Sequence, residues 1–364
     1  MRLEGISLVL ILFIISNCHI KQITSPISPI IKQNIKSKFE PDNGKLLFFI
    51  GQDLEATGGL DSFDNGYIDY FDVPSGVTVY TNFSPGDQSY SRILKGNDGI
   101  KSIANWGAGY NCAQCYIDSE NFKHSVLSIG LSMVNHEKEI GAGKRDYLIE
   151  ELGEWIKNIK RPVFLRIGYE FDGWEWNHYN RKDYLKSWRR IHSIFEKMEV
   201  ENVAFVWQSK GTGSDQKVLE KWYPGDDIVD WCAYSYFSNP DEEMITFARK
   251  HNKPVFIAEA SPVLTDESSF INSDLSDSKV ADKAWNEWFI PFFETINENS
   301  DVIKAFSYIN VDWASQPMWV NNQVFQNVDS RIQKSEFISK KWRTEINQTK
   351  YLKPSPLLWE KLDN

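Results

Sequence analysis

Two apolar runs of this chain each stop in a glutamate. Glu170 ends the run that starts at Val163, and Glu259 ends the run that starts at Pro254. Both runs are β-prone and follow a helix-like stretch. Acids at the ends of parallel strands that open onto one shared face can act as a pair. One carboxyl held neutral gives up a proton, while the other, held ionised, attacks carbon or activates water. Burial and mutual repulsion split two such groups into these roles at one pH. Cleaving an acetal between sugars needs both roles. A separation of about 5 to 5.5 Å suits direct attack with retention, and about 6.5 to 9.5 Å leaves room for a water and inversion.

Arg166 lies four residues before Glu170, so strand alternation puts both on one inner face. A guanidinium inside a barrel needs a carboxylate. The expectation is that Arg166 supports Glu259, holding it ionised and oriented; a structural ion pair with another acid is the alternative. Beyond Glu170 runs Phe-Asp-Gly-Trp-Glu-Trp-Asn-His-Tyr to position 179. Trp174 and Trp176 are candidate sugar platforms, since an indole offers a flat apolar face with a polar edge. Asp172 either orients a substrate hydroxyl or caps the loop. Glu175 sits in the loop rather than at a strand end.

These residues need a scaffold that brings distant strand ends together. Eight strand-like runs are predicted: 46–53, 77–83, 126–133, 163–170, 203–209, 229–237, 254–261 and 303–310. Their interiors are nearly continuous apolar stretches, the pattern of parallel strands buried on both faces. Amphipathic segments at 145–160, 182–198, 279–298 and 330–347 lie between or after them. Eight such alternations predict an α/β fold, a (β/α)8 TIM barrel forming one catalytic domain over 43–350. The predicted ends collect Gln52 and Asp53, Asn82, Glu170, Trp207 and Gln208, Tyr236, Glu259, and Asn310 with Asp312 and Trp313. From these, Asp53, Trp207, Gln208, Tyr236, Asn310 and Trp313 join Asp172, Trp174 and Trp176 as expected substrate contacts.

The chain has 364 residues and a formal net charge of −10. That balance argues against nucleic acid or anionic lipid as a partner, which call for clustered Lys and Arg. It fits an enzyme with a neutral polymer substrate. Residues 1–18 resemble a secretory signal: Arg2, the apolar run 6–15, then a lipobox-like Ser16-Asn17-Cys18. Cys18 is the expected lipidation site, with ordinary secretion as the alternative, so contact with a membrane is expected only through a lipid anchor. Residues 19–42 read as a tether and 351–364 as a tail. Cys112 and Cys115 are compatible with a disulfide, half a zinc site or two thiols; without a second such pair, zinc is disfavoured. Cys232 reads as a buried small hydrophobe. The six histidines do not sit at strand ends, which weighs against a metal-dependent barrel hydrolase. No cofactor and no metal are expected, and the protein is expected to be a monomer.

Several motifs resemble glycoside hydrolase family 26. They are Arg166-Ile-Gly-Tyr-Glu170 with Gly173, Trp174 and Trp176; Trp222 through Asp230; and Pro254 through Glu259. Tyr169 stands where most mannanases of that family carry His, and Ile167 where Pro is usual. The wording is more similar to the β-1,3-xylanase branch. Matching stretches include Gly51-Gln-Asp53, Arg161 through Arg166, Tyr169 through Gly173, Val206-Trp-Gln208, Val229-Asp-Trp231, Ser235-Tyr-Phe237, and Phe306 through Asn310 with Asp312-Trp313. The likeness runs from about Gly51 to Glu345. It implies a retaining endo-acting glycanase with Glu170 as acid/base and Glu259 as nucleophile. It also implies a substrate-facing aromatic on the sixth strand, assigned to Tyr236 rather than Phe237. The loop 55–72 departs from the branch; β-1,3-xylan is the expected substrate and β-mannan the alternative. A non-catalytic surface glycan-binding lipoprotein is the alternative outside enzymes.

Overall fold

The structure is a computed structural model, describing residues 36–90, 92–265 and 270–363. Eight parallel strands close into a barrel. They are β1 (Leu47–Gly51), β2 (Gly76–Asn82), β3 (Val126–Ser132), β4 (Val163–Ile167), β5 (Val203–Ser209), β6 (Trp231–Tyr236), β7 (Val255–Ala260) and β8 (Ile303–Ile309). Each pairs with its sequence neighbour, and β8 closes on β1. All eight expected strands are present: 203–209 matches end to end, β2 starts one residue early, and the other strands differ at one or both ends by one to three residues.

Helices cover the outside. The longest are α1 (Asp146–Ile159) and α2 (Arg181–Lys197); next along the chain come α3 (Gln216–Trp222) and α4 (Glu242–His251). Their starts are set by side chains that take up free backbone N–H groups. Asn180 caps α2, Asp215 caps α3 and Asp241 caps α4. The expected helix 279–298 is α5 (Ser278–Ala284), which runs through a π turn over Trp285–Phe289 into α6 (Ile290–Glu298). The last crossover helix is α7 (Glu336–Ile346). Trp188 of α2 ties the helix layer to the sheet, its indole N–H donating to the Ile167 carbonyl at 3.0 Å.

Strand alternation divides the core. On β5, Val203, Phe205 and Trp207 pack outward under the helices, whereas Ala204 and Val206 fill the lumen. The lumen is apolar in its lower part, where Phe49 meets Phe164 and Phe256. It turns polar toward the C-terminal mouth, where Thr78 bonds Ser307 at 2.9 Å and Arg166 lies fully buried.

The N-terminal mouth is sealed by chain read from sequence as tether and tail. Phe39 packs on Phe164, and the Trp231 indole donates to the Lys38 carbonyl. Leu358 and Leu362, on α8 (Leu358–Leu362), are buried with Leu47, Phe49 and Val126. Residues 350–352 hydrogen-bond beside Leu46. The packed domain therefore takes in 36–42 and 351–363, because the open barrel bottom exposes apolar side chains that need a cover. The expectations for the leader and for Cys18 lie outside the described residues. Cys112 and Cys115 are joined as a disulfide, and Cys232 is buried. No described helix is long and apolar enough to cross a membrane.

Candidate active site

Glu259 reaches the lumen through an irregularity in its strand. Phe256 and Ala258 face the lumen while Ile257 and Ala260 face the helices. Strict alternation would turn Glu259 outward. The pairing shifts register between Ile257 and Glu259 against β6, and between Ile257 and Ala260 against β8. This bulge resets the phase and aims the carboxylate inward. There Arg166 Nη1 donates to Glu259 Oε1 at 2.8 Å, and Gln208 Nε2 donates to the same oxygen at 3.2 Å. Arg166 Nη1 also donates to Gln208 Oε1 at 2.9 Å. The guanidinium lies over the Tyr80 ring, 4.8 Å from its centroid. A Cβ at Gly130 would fall 2.6 Å from Tyr80 and 2.8 Å from Arg166, so that position must stay bare.

Glu170 is not held by its strand. β4 ends at Ile167, and Glu170 adopts φ 52°, a left-handed conformation. The alternation used to place it beside Arg166 does not extend that far, so its position is set by the loop instead. Asn177 Nδ2 donates to the carbonyls of Tyr169 (2.9 Å) and Glu170 (2.8 Å), and Phe171 N donates to Gln208 O. Such a conformation costs about 1–3 kcal/mol and persists only where its surroundings enforce it. Ser235 Oγ donates to Glu170 Oε1 at 2.7 Å, and Trp176 Nε1 to Oε2 at 2.9 Å. Gln208 Nε2 in turn donates to Ser235 Oγ at 3.0 Å. A continuous chain of hydrogen bonds, Glu170–Ser235–Gln208–Glu259, thus joins the two acids.

Burial, followed by the charge of Glu259, pushes the Glu170 carboxyl up to about 8, against the pull of the Ser235 and Trp176 donors. The residues present can therefore keep a proton on one acid beside a second acid paired with a permanent cation.

The remaining candidates divide by burial. Trp174 and Trp176 are open to solvent at the mouth. Trp174 leans on Trp222, and Lys210 Nζ lies over the Trp176 ring. Gln208 touches both the cation and the acid. The others are corrected. Trp207 is fully buried and stacks on Phe171 at 4.6 Å, outside the barrel. Tyr236 is fully buried against Trp288 and Phe292, because Ser235 takes the inner face. Phe237, passed over earlier, lies half-buried against Trp313 and Phe325. Trp313 is itself buried, stacked on Phe325 and donating to Ser261.

Three polar candidates are spent on structure. Asp53 caps the turn Leu54–Thr57 and accepts from Gln316; burial raises it to about 7. Asp172 closes the 170–179 loop by accepting from Ser209, Ser214 and the Lys210 amide. The Asn310 amide serves Ala56, Gln333 and Ile332. Sequence reasoning missed Ser235 and Asn177. Alternation from Trp231 would have found Ser235; Asn177 carries no periodic signal. At the ends of β1 and β8 a cavity of about 240 Å³ is lined by the divergent loop, with Glu55, Phe63 and Asn65 facing Ser315 and Arg331.

No protein-family model matches the chain. Among curated proteins it is 32% identical to the β-1,3-xylanase TXYA of a Vibrio species, over 90% of this chain and 70% of that protein. It is 31% identical to a β-1,3-xylanase of an Alcaligenes species, over 90% and 69%. Among solved structures, a family 26 β-mannanase from Bacteroides ovatus superposes with TM-score 0.54 at 14% identity, covering 88% of this chain and 93% of that one. A mannanase from Bacillus subtilis gives TM-score 0.52 at 14% identity, covering 86% and 88%. The structural likeness shows a shared fold.

Proposed function

The chain belongs to the β-1,3-xylanase branch of glycoside hydrolase family 26 and is an endo-acting glycoside hydrolase, and we propose that it cleaves β-1,3-xylan by double displacement. In this reading Glu259 attacks the anomeric carbon while Glu170 protonates the leaving oxygen. Water then enters, activated by Glu170, and releases the sugar from Glu259 with retained configuration. The observation that carries the reading is the bonded chain between the two acids, with a buried guanidinium on Glu259 and only neutral donors on Glu170. Arg166 holds Glu259 in line, and Gln208 and Ser235 fix the spacing. Trp174 and Trp176 offer faces to the sugars nearest the bond being cut.

The leader pattern and the lipobox-like Cys18 support export, with the enzyme held at the cell envelope by lipid or released. It acts as a monomer. Incubation with β-1,3-xylan, β-1,4-mannan and β-1,3-glucan, with product analysis and anomeric NMR, tests the whole reading. Short β-1,3-xylooligosaccharides released first as β-anomers are expected. Mannan as the preferred substrate would reassign the specificity, and retention of polymer without cleavage would make the protein a binder.

A further inference from the structure

The two oxygens of Glu170 are held by different kinds of partner. Oε1 accepts from Ser235, which is 2% exposed and fixed on β6. Oε2 accepts from the indole N–H of Trp176, whose side chain belongs to a loop and is 48% exposed. A proton donor must bring one oxygen to about 2.6–3.2 Å from the atom it protonates. Oε1 is bonded to a buried hydroxyl fixed on a strand, whereas the partner of Oε2 is half open to solvent, so Oε2 is the oxygen a polysaccharide can meet. The indole N–H stands in that place. An indole can only donate, so it requires a lone pair from Oε2 and opposes a proton there.

We propose that Trp176 is a removable cap on the proton-donating oxygen of Glu170, displaced by the glycosidic oxygen of the arriving polysaccharide. The proposal rests on Glu170 being the acid. With the indole gone, Oε2 can carry the proton that the buried carboxyl already holds. It passes that proton to the glycosidic oxygen as the bond from this oxygen to the anomeric carbon breaks and Glu259 bonds to the carbon. Placement of the proton on the outward oxygen is thereby linked to substrate binding. Burial and the Glu259 charge favour the loaded form, and of the two side-chain donors opposing it only Trp176 is placed to leave.

The other groups facing Glu170 stay where they are. Glu259 comes from β7 and Asp172 from the loop itself, and both raise the carboxyl. Arg166 on β4 is engaged by Glu259, Tyr169 is a half-buried and Tyr179 a buried phenol, and Lys210 and Glu175 pair beside the indole.

Trp176→Phe keeps a ring and removes the donor, and rate–pH profiles read the result on whichever panel polysaccharide is cleaved best. The alkaline limb of kcat/KM, which reports the free enzyme, should move up by about one unit. The alkaline limb of kcat should stay, because the bond is already broken in the complex. Trp174→Phe should leave both limbs in place. Movement of both limbs in Trp176→Phe would mean that the bond persists in the complex, and movement of neither would make Trp176 a stacking surface only; either overturns the cap.

An independent check is the Trp176 indole resonance in the Glu259→Gln variant. It should shift toward the solvent-exposed position when oligosaccharide is added, and an unmoved signal overturns the proposal. If Glu170→Ala retains the alkaline limb on an activated aryl glycoside, the assignment of Glu170 as the acid fails and the cap falls with it. That result is distinct from failure of the cap alone.

Discussion

Glu170 and Glu259 sit in the same barrel mouth, both almost fully buried, yet they are built into it in opposite ways. Glu259 is carried on a strand, aimed by a bulge and bonded to a guanidinium that cannot lose its charge. Glu170 is carried on a loop in a left-handed conformation and bonded by a hydroxyl and an indole. The first arrangement favours a fixed anion. The second favours a group that gains and loses a proton. The difference shows that two chemically identical side chains acquire separate roles from their partners and from the rigidity of the element that bears them.

The comparison can be broken most severely at Glu259. Glu259→Ala should reduce turnover by roughly 10⁴–10⁶-fold on polysaccharide and activated aryl glycosides alike, with the secondary structure retained by circular dichroism. Substantial activity on either substrate would remove the nucleophile from the account. Glu170→Ala should slow polysaccharide hydrolysis by about 10²–10⁴-fold and largely spare aryl glycosides with very acidic leaving groups, which need no proton. Equal loss on both substrates would erase the distinction between the two acids. Arg166→Met should lower kcat by about 10²-fold on both substrate types, as expected when a positioned nucleophile loses its anchor. A loss seen on polysaccharide alone would place the guanidinium with the acid instead.

The smallest effect concerns stability. The Glu170 carboxyl lies near 8 in the folded protein against 4.5 for the free side chain. As pH rises through that interval, the unfolded chain releases this proton before the folded one does, so the contribution of Glu170 to stability falls. Below the interval both states are protonated and nothing is lost. The melting temperature of Glu170→Gln relative to the parent protein should therefore rise between about pH 5 and pH 8. A difference constant with pH would mean that the carboxyl titrates alike in both states.

Much of the frame was readable because buried parallel strands leave continuous apolar runs, and because Arg166 inside such a run demands an acid. The errors share one cause. Trp207, Tyr236 and Asn310 were chosen for lying at strand ends, without asking which face each occupies. Alternation with Gln208 and Ser235 would have turned the two aromatics outward. For Glu259 the same rule gives the wrong face, since a bulge leaves no mark in residue type. Asp53 looks like a substrate ligand by composition and proves to be a cap, and Asp172 takes the loop-closing one of its two expected roles; the distinction depends on which backbone amides lie near. The cover over the barrel bottom was missed because Phe39 stands alone in a polar segment, and Leu357-Leu358-Trp359 with Leu362 form a run too short to establish a period.

The account turns on Glu259 forming a bond to sugar. Incubation with a 2-deoxy-2-fluoro-β-xylobioside bearing a good leaving group, then peptide mass spectrometry, measures this directly. The account predicts one fluoroxylobiosyl adduct on the peptide that contains Glu259. An adduct on Glu170 or on another residue would contradict it.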